Sequence, residues 1–153
     1  MADPNNDTIE TLNDLIHVCE DGQKGFQAAA EAVKDPRYKD LYRRNSAQRA
    51  AFVSELQSEV RRLGGKPDDS GTAAGAMHRG WINLRTALSG KDEKAVVSEC
   101  ERGEDHAVKA YRDATAQALL EPARSIVSRQ SAEVLRAHDT MRALRNAEKA
   151  ADA

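Results

Sequence analysis

Two carboxylates and one imidazole in the second half of the chain could together bind a metal ion. Glu101 and Glu104 stand three residues apart, so they share one face of a helix, and His138 lies on a later helical segment. Carboxylate oxygens and imidazole nitrogens suit iron or manganese. The three residues therefore predict, as one of two alternatives, a carboxylate and histidine metal site.

The other alternative is a buried ion pair. Each long helical segment has an apolar stripe that is interrupted near its midpoint by polar residues. In an antiparallel bundle these midpoints fall at one level, which predicts a buried polar layer. Its members are Gln23, Asn45, Arg49, Glu104 and Gln130. Because a buried charge needs a partner, Arg49 and Glu104 are expected to pair, with the three amides satisfying the remaining hydrogen bonds.

The motif count favours the ion pair over a dinuclear metal centre. Di-iron bundles use one Glu from each of two helices and a Glu-x-x-His from each of the other two. This sequence contains no Glu-x-x-His, and Arg49 would repel a cationic cluster. We therefore expect no cofactor, and iron or manganese only if a degenerate site survives.

No other chemistry stands out in the sequence. Cys19 and Cys100 both fall on apolar stripes, where thiols act as small hydrophobic side chains. There is no Cys-x-x-Cys, no glycine-rich phosphate loop after a strand and no serine, histidine and aspartate arrangement. The sequence thus favours a non-catalytic protein, and the alternative is a metal-binding redox or storage protein that uses the degenerate carboxylate and histidine site.

The elements that must position these residues are helices. Of the 153 residues, 26 are alanine, the best helix former, whereas aromatic residues make up only 4%. Caps, prolines and glycines predict four long helices, at about 8–33, 36–63, 91–119 and 122–146. Residues 1–7 are expected to be disordered, 8–146 to form the bundle and 147–153 to be a frayed tail.

The lengths of the links predict the topology. About two residues join the first two helices and the last two, so each pair is expected to form an antiparallel hairpin. Roughly 26 residues separate the hairpins, which is enough to travel the length of the bundle. This predicts an all-α, ferritin-like antiparallel four-helix bundle of two hairpins, with a long crossover that contains a short helix.

The crossover also suggests an interface. Met77, Trp81, Leu84 and Leu88 recur at helical spacing within it. Methionine and aromatic residues are enriched at protein interfaces, so Met77 and Trp81 are candidate anchors of a homodimer.

Composition argues against nucleic-acid-binding, membrane-spanning and secreted proteins. The net charge of −2 argues against binding to nucleic acid, and no apolar run approaches the roughly 20 residues of a membrane span. The polar, acidic start does not resemble a signal peptide, and two cysteines are too few for a disulfide scaffold. We expect a cytoplasmic protein.

Several motifs together resemble a bacterial ferritin-like family of unknown function that is related to rubrerythrin. The clearest are ECERGED at 99–105 and CEDGQKGF at 19–26. Further matching segments lie at 56–65, 78–81, 110–113, 137–139 and 142–145. The resemblance extends over about residues 8–146, and a more distant one connects the chain to bacterial stress-induced ferritin-like proteins.

This resemblance implies a ferritin-like bundle and no established activity. Of the rubrerythrin ligands, Glu101 or Glu104 and His138 are the positions that could survive. Gln48 stands at the ligand position of the second helix, so ferroxidase or peroxidase chemistry is not implied.

Overall fold

The computed structural model describes residues 3–68, 81, 83–90 and 92–152. Helices form most of this part of the chain, and no β-strand occurs within it. The all-α prediction is confirmed. The described residues contain the helices α1 (Pro4–Ala32), α2 (Pro36–Arg62), α3 (Leu84–Ser89), α4 (Glu93–Thr115) and α5 (Ala123–Asp152).

Aspartates start three of the long helices. The carboxylates of Asp3, Asp35 and Asp92 each accept a hydrogen bond from the backbone N–H two residues later, at 3.0, 2.9 and 3.0 Å. Pro4 and Pro36 follow the first two aspartates, in the first turn, where a missing N–H leaves no hydrogen bond unmade. These caps satisfy N–H groups that would otherwise lack a partner in the first turn.

The start of α1 differs from the disorder predicted for residues 1–7, of which the structure describes residues 3–7. The helix begins at Pro4 rather than at residue 8. Besides the Asp3 cap, Asn5 holds this turn in place, because its Nδ2 donates to the carbonyl oxygen of Leu63 at 3.0 Å. The first turn of α1 is therefore fastened to the end of α2.

The end of α5 also differs from the prediction. The helix continues to Asp152, whereas the sequence predicted an end near residue 146 and a frayed tail. The phenol of Tyr38, at the start of α2, donates to the carboxylate of Glu148. This contact ties the last turns of α5 to the bundle.

Contacts at the two ends of the bundle give the direction of each helix. At one end, the N–H of Leu120 donates to Oγ1 of Thr8 at 3.2 Å, so the end of α4 meets the start of α1. At the other end, the N–H of Lys34 donates to the carboxylate of Glu93, so the end of α1 meets the start of α4. Helices α1 and α4 are therefore antiparallel. The hairpin α1–α2 is also antiparallel, because Asn5 meets Leu63, and so is α4–α5, because Glu101 meets Arg145 and Asp105 meets His138. Helices α2 and α4 consequently point the same way.

The link between α2 and α4 must consequently return along the bundle. It leaves the end of α2 beside α1, where Asn13 donates to the carbonyl of Lys66 at 3.3 Å and accepts from the N–H of Asp68 at 3.0 Å. Further on, the N–H of Asn83 donates to the carboxylate of Glu99 on α4. The link thus contacts both α1 and α4.

The described part of the link contains one short helix, Leu84–Ser89. The apolar stripe predicted that Trp81 would also be helical, but Trp81 has a non-helical conformation. Met77 falls outside the described residues, so its part in the predicted stripe and interface has no structural test.

Two apolar clusters form the core, one on each side of the middle of the bundle. The first is built around Leu12, Ile16, Phe52, Leu56 and Val127. The second is built around Phe26, Val33, Tyr42, Trp81 and Met141. Cys19 belongs to the first cluster and Cys100 to the second, and both thiols are free.

Trp81 lies inside this core and not on the surface. Its side chain is 3% exposed and its ring meets that of Phe26 edge to face, with centroids 5.0 Å apart. A Cβ at Gly25 would lie 2.6 Å from the indole, and a Cβ at Gly103 would lie closer still. The indole therefore fills a slot between α1 and α4 that only glycines leave open. Trp81 is not available as the surface anchor that the sequence suggested.

Across the residues that the structure describes, no helix is both long enough and apolar enough to cross a membrane.

Candidate functional site

An ion pair between α2 and α4 occupies the middle of the bundle. Nη2 of Arg49 donates to Oε1 of Glu104, and the two side chains are 1% and 0% exposed. Burial disfavours the charged guanidinium, but Glu104 and the neighbouring groups outweigh this, and the pKa of Arg49 is raised above its ordinary value. The guanidinium can thus keep its charge away from water because the carboxylate of Glu104 lies against it.

Two residues of α1 lie close to the guanidinium. A Cβ at Gly22 would lie 3.2 Å from Nη1 of Arg49, which is tight for a side chain. Cζ of Arg49 also lies 5.6 Å from the centroid of the Phe26 ring, within reach of a cation–π contact. The Nε–H of Arg49 donates to Oε1 of Gln48 at 3.2 Å.

A chain of hydrogen bonds lies next to the ion pair. The hydroxyl of Tyr111 donates to Oε1 of Gln130 at 2.7 Å, and Nε2 of Gln130 donates to Glu55 at 2.8 Å. Sγ of Cys19 lies 3.0 Å from the Tyr111 oxygen. Because the single phenolic proton goes to Gln130, the thiol is the donor in that contact.

The thiols of this region are poor nucleophiles. Burial raises the pKa of Cys19 to about 11, although the charge of Arg49 works in the opposite direction. Burial likewise raises the pKa of Cys100 and that of Tyr111. Since the thiolate is the reactive form, these cysteines are chemically quiet at neutral pH.

The five residues of the predicted polar layer differ in their burial and in their hydrogen bonds. Arg49 and Glu104 are in direct contact, and Gln130 is fully buried and bonded to Tyr111 and Glu55. Asn45 is buried, but its Nδ2 has no hydrogen-bond partner. Gln23 is only half-buried, and its contact with α2 is through its backbone carbonyl, which accepts from Ser46 at 2.8 Å.

The three candidate metal ligands line one cavity, but each is engaged by another side chain. Glu104 pairs with Arg49, Glu101 pairs with Arg145, and Nε2 of His138 lies 2.7 Å from Oδ1 of Asp105. Among the residues described, no group of three or more histidine, cysteine, aspartate or glutamate side chains could hold a metal ion. The structure thus does not assemble Glu101, Glu104 and His138 as a ligand set.

Sequence reasoning did not identify two features of this region. The first is the slot for Trp81, for which the signal was a pair of glycines, Gly25 and Gly103, in the middle of long helices. The second is the set of partners Asp105 and Arg145, which lie outside the apolar stripes. Their roles depend on the rotation of α4 against α5, which periodicity does not specify.

Comparison with known families assigns most of the chain to one family. The chain matches a domain of unknown function (DUF2383) over residues 7–117, and it belongs to that family. The matched range covers α1 to α4, so it includes Arg49 and Glu104 and leaves α5 outside. A search of the curated proteins finds no match.

Proposed function

We propose that this chain is a ferritin-like, rubrerythrin-related bundle in which Arg49 supplies the positive charge that a metal centre supplies in its metal-binding relatives. The observation that carries this proposal is the fully buried Arg49–Glu104 pair. The two antiparallel hairpins and the lengthwise link support the ferritin-like assignment, because this connectivity is found in such bundles.

The positive charge of Arg49 explains why this site would not bind a metal ion. A dinuclear iron or manganese centre needs several carboxylates and imidazoles from facing helices. Here Glu104 is already neutralised by Arg49, and the same guanidinium repels divalent cations with a force that the buried setting strengthens. The polar layer then sets the register of the helices and does not perform redox chemistry.

Under this proposal the protein works by binding or association in the cytoplasm and not by catalysis. The two buried, free cysteines suit a reducing compartment. A role in stress responses follows from the resemblance to stress-induced ferritin-like proteins. The homodimer remains a prediction, now without Trp81 in its interface.

A degenerate iron or manganese site is the second candidate. Its support is that Glu101, Glu104 and His138 line a common cavity, and that each keeps one buried polar atom without a partner. Such a site would serve redox chemistry or metal storage, and it would require Glu104 to bind metal through the oxygen that Arg49 leaves free.

Elemental analysis after metal loading separates the two candidates. The purified protein would be incubated with Fe(II), Mn(II) or Zn(II), desalted and measured by mass spectrometry of the metals. We expect less than stoichiometric metal in the wild type. Stoichiometric metal that is lost in Glu104→Gln, and retained in the control Glu133→Gln, would overturn the proposal. Glu133 is a suitable control because it forms a partly exposed pair with Arg129 away from this cavity.

A further inference from the structure

The end of the link is fastened to the bundle by buried contacts. The N–H of Asn83 donates to the carboxylate of Glu99, a side chain that is only 3% exposed. One turn further along α4, Gly103 borders the slot that holds the indole of Trp81, and Gly25 borders it from α1. The link end therefore lies against α4, and its indole reaches into the space between α1 and α4.

The slot for the indole is next to the ion pair of the polar layer. On α4, Gly103 directly precedes Glu104 in the chain. On α1, Gly25 follows Gly22 by three residues, and a Cβ at Gly22 would lie 3.2 Å from Nη1 of Arg49. Residues three apart are neighbours on the surface of a helix. One short segment of α1 and one of α4 thus border both the indole and the ion pair.

The ring of Phe26 joins the two features. It meets the indole of Trp81 edge to face, with centroids 5.0 Å apart and ring planes at 83°. Its centroid also lies 5.6 Å from Cζ of Arg49, within the range of a cation–π contact. Phe26 is 0% exposed. Because protein interiors are close-packed, a shift of the guanidinium is transmitted through this ring to the indole.

The charge of Arg49 determines the direction of the effect. While the carboxylate of Glu104 lies against it, the guanidinium is stable beside Phe26 and away from water. Without that carboxylate, a buried positive charge has no partner, which is strongly unfavourable. The guanidinium must then draw water into the bundle or move towards the surface. Either change moves the ring of Phe26 and loosens the slot.

We infer that the seating of Trp81 responds to the Arg49–Glu104 pair, so that the polar layer and the end of the link form one conformational switch. With the pair intact, the indole fills its slot between α1 and α4. When Glu104 no longer neutralises Arg49, the indole leaves the slot. The coupling is reciprocal, so removal of the indole also weakens the pair.

This switch goes beyond the proposed function, in which the pair only sets the register of the helices. It rests on that proposal in one respect, because it takes Arg49, and not a metal ion, as the partner of Glu104. It gives the binding role a conformational change that one residue of the link reports.

Quenching of fluorescence by acrylamide tests the inference, because Trp81 is the only tryptophan of the chain. Glu104→Gln keeps the shape of the side chain, removes its charge and leaves the guanidinium of Arg49 unpaired. We expect the quenching constant to rise about threefold over the wild type, under conditions where circular dichroism shows that the variant is folded. A folded Glu104→Gln with the quenching constant of the wild type would overturn the inference.

Glu133→Gln is the matched control. It makes the same substitution in an ion pair on α5, in which the side chains of Glu133 and Arg129 are 33% and 49% exposed. Loss of a partly exposed pair has little cost, so the quenching constant should equal that of the wild type. An equal rise in Glu133→Gln and Glu104→Gln would show general loosening of the bundle and would contradict the switch.

Arg49→Lys keeps the inference testable if Glu104→Gln does not fold. The ammonium group still neutralises Glu104, but it lacks the planar guanidinium that lies near Phe26. This variant weakens the contacts of the pair and leaves no buried charge alone. The quenching constant should rise about twofold. An unchanged constant in Arg49→Lys would overturn the inference.

The metal experiment and the quenching experiment fail separately. Metal uptake that depends on Glu104 would overturn the proposed function, and it is measured as bound metal and not as fluorescence. Absence of bound metal, together with wild-type quenching in a folded Glu104→Gln, would overturn only the inference about Trp81.

Discussion

Arg49 on α2 donates a hydrogen bond to Glu104 on α4 at the level where the two apolar clusters of the core separate. Neither side chain is exposed by more than 1%. A buried pair of this kind tolerates loss of both charges much better than loss of one, because a single remaining charge has no partner. The pair therefore ties the rotation and register of α2 to those of α4.

The glycine slot around Trp81 leads to the first prediction. Gly103→Ala should displace the indole, because the new Cβ would overlap it, and should cost about 1–3 kcal/mol through overpacking. Trp81 is the only tryptophan, so intrinsic fluorescence should shift to the red as the indole moves towards water. Gly90→Ala is the matched control, because its Cβ would lie 3.4 Å from the nearest atom. A folded Gly103→Ala with an unchanged spectrum would contradict the slot.

The second prediction separates stability from association. Trp81→Ala should lower the free energy of unfolding by about 3–5 kcal/mol, as expected for a buried aromatic residue. The molar mass by light scattering should equal that of the wild type under conditions where the variant is folded. A wild-type dimer that becomes a folded monomer in Trp81→Ala would show that the indole serves an interface after all.

The third prediction concerns alkaline pH. Burial raises the pKa of Cys19 from 9.0 to about 11, so the unfolded chain loses this proton at a lower pH than the folded protein does. The stabilisation is complete below pH 9 and is lost as the pH rises from 9 to 11. In that range the wild type should lose about 1.4 kcal/mol per pH unit more than Cys19→Ala, as measured by urea unfolding. Parallel curves for the two proteins would rule out the shift.

Local rules in the sequence predict the helices well. The pair Asp35–Pro36 marks the start of α2, and the apolar stripes point to Arg49 and Glu104 at mid-helix. The same rules did not place Trp81, because spacing within a long link does not reveal whether its aromatic residue faces the bundle or the solvent. The slot became visible only when Gly25 and Gly103 were seen on facing helices.

The contacts at the ends of the bundle were likewise not predictable from local sequence patterns. Asn5 and Glu148 hold segments that composition alone suggested would be loose, and both do so through single contacts with residues far away in the chain. Likewise, the partners of His138 and Glu101 depend on how α5 is rotated against α4. Contacts of this kind are tertiary, and no periodicity within one helix encodes them.

The most direct test of the account is the coupling energy between Arg49 and Glu104. Arg49→Met, Glu104→Leu and the double variant would be unfolded in urea alongside the wild type. Each single variant should lose about 3–5 kcal/mol, because it leaves one buried charge alone, and the double variant should lose much less than the sum. If the losses of the two single variants add up in the double variant, the pair is not coupled, and the account of the polar layer is wrong.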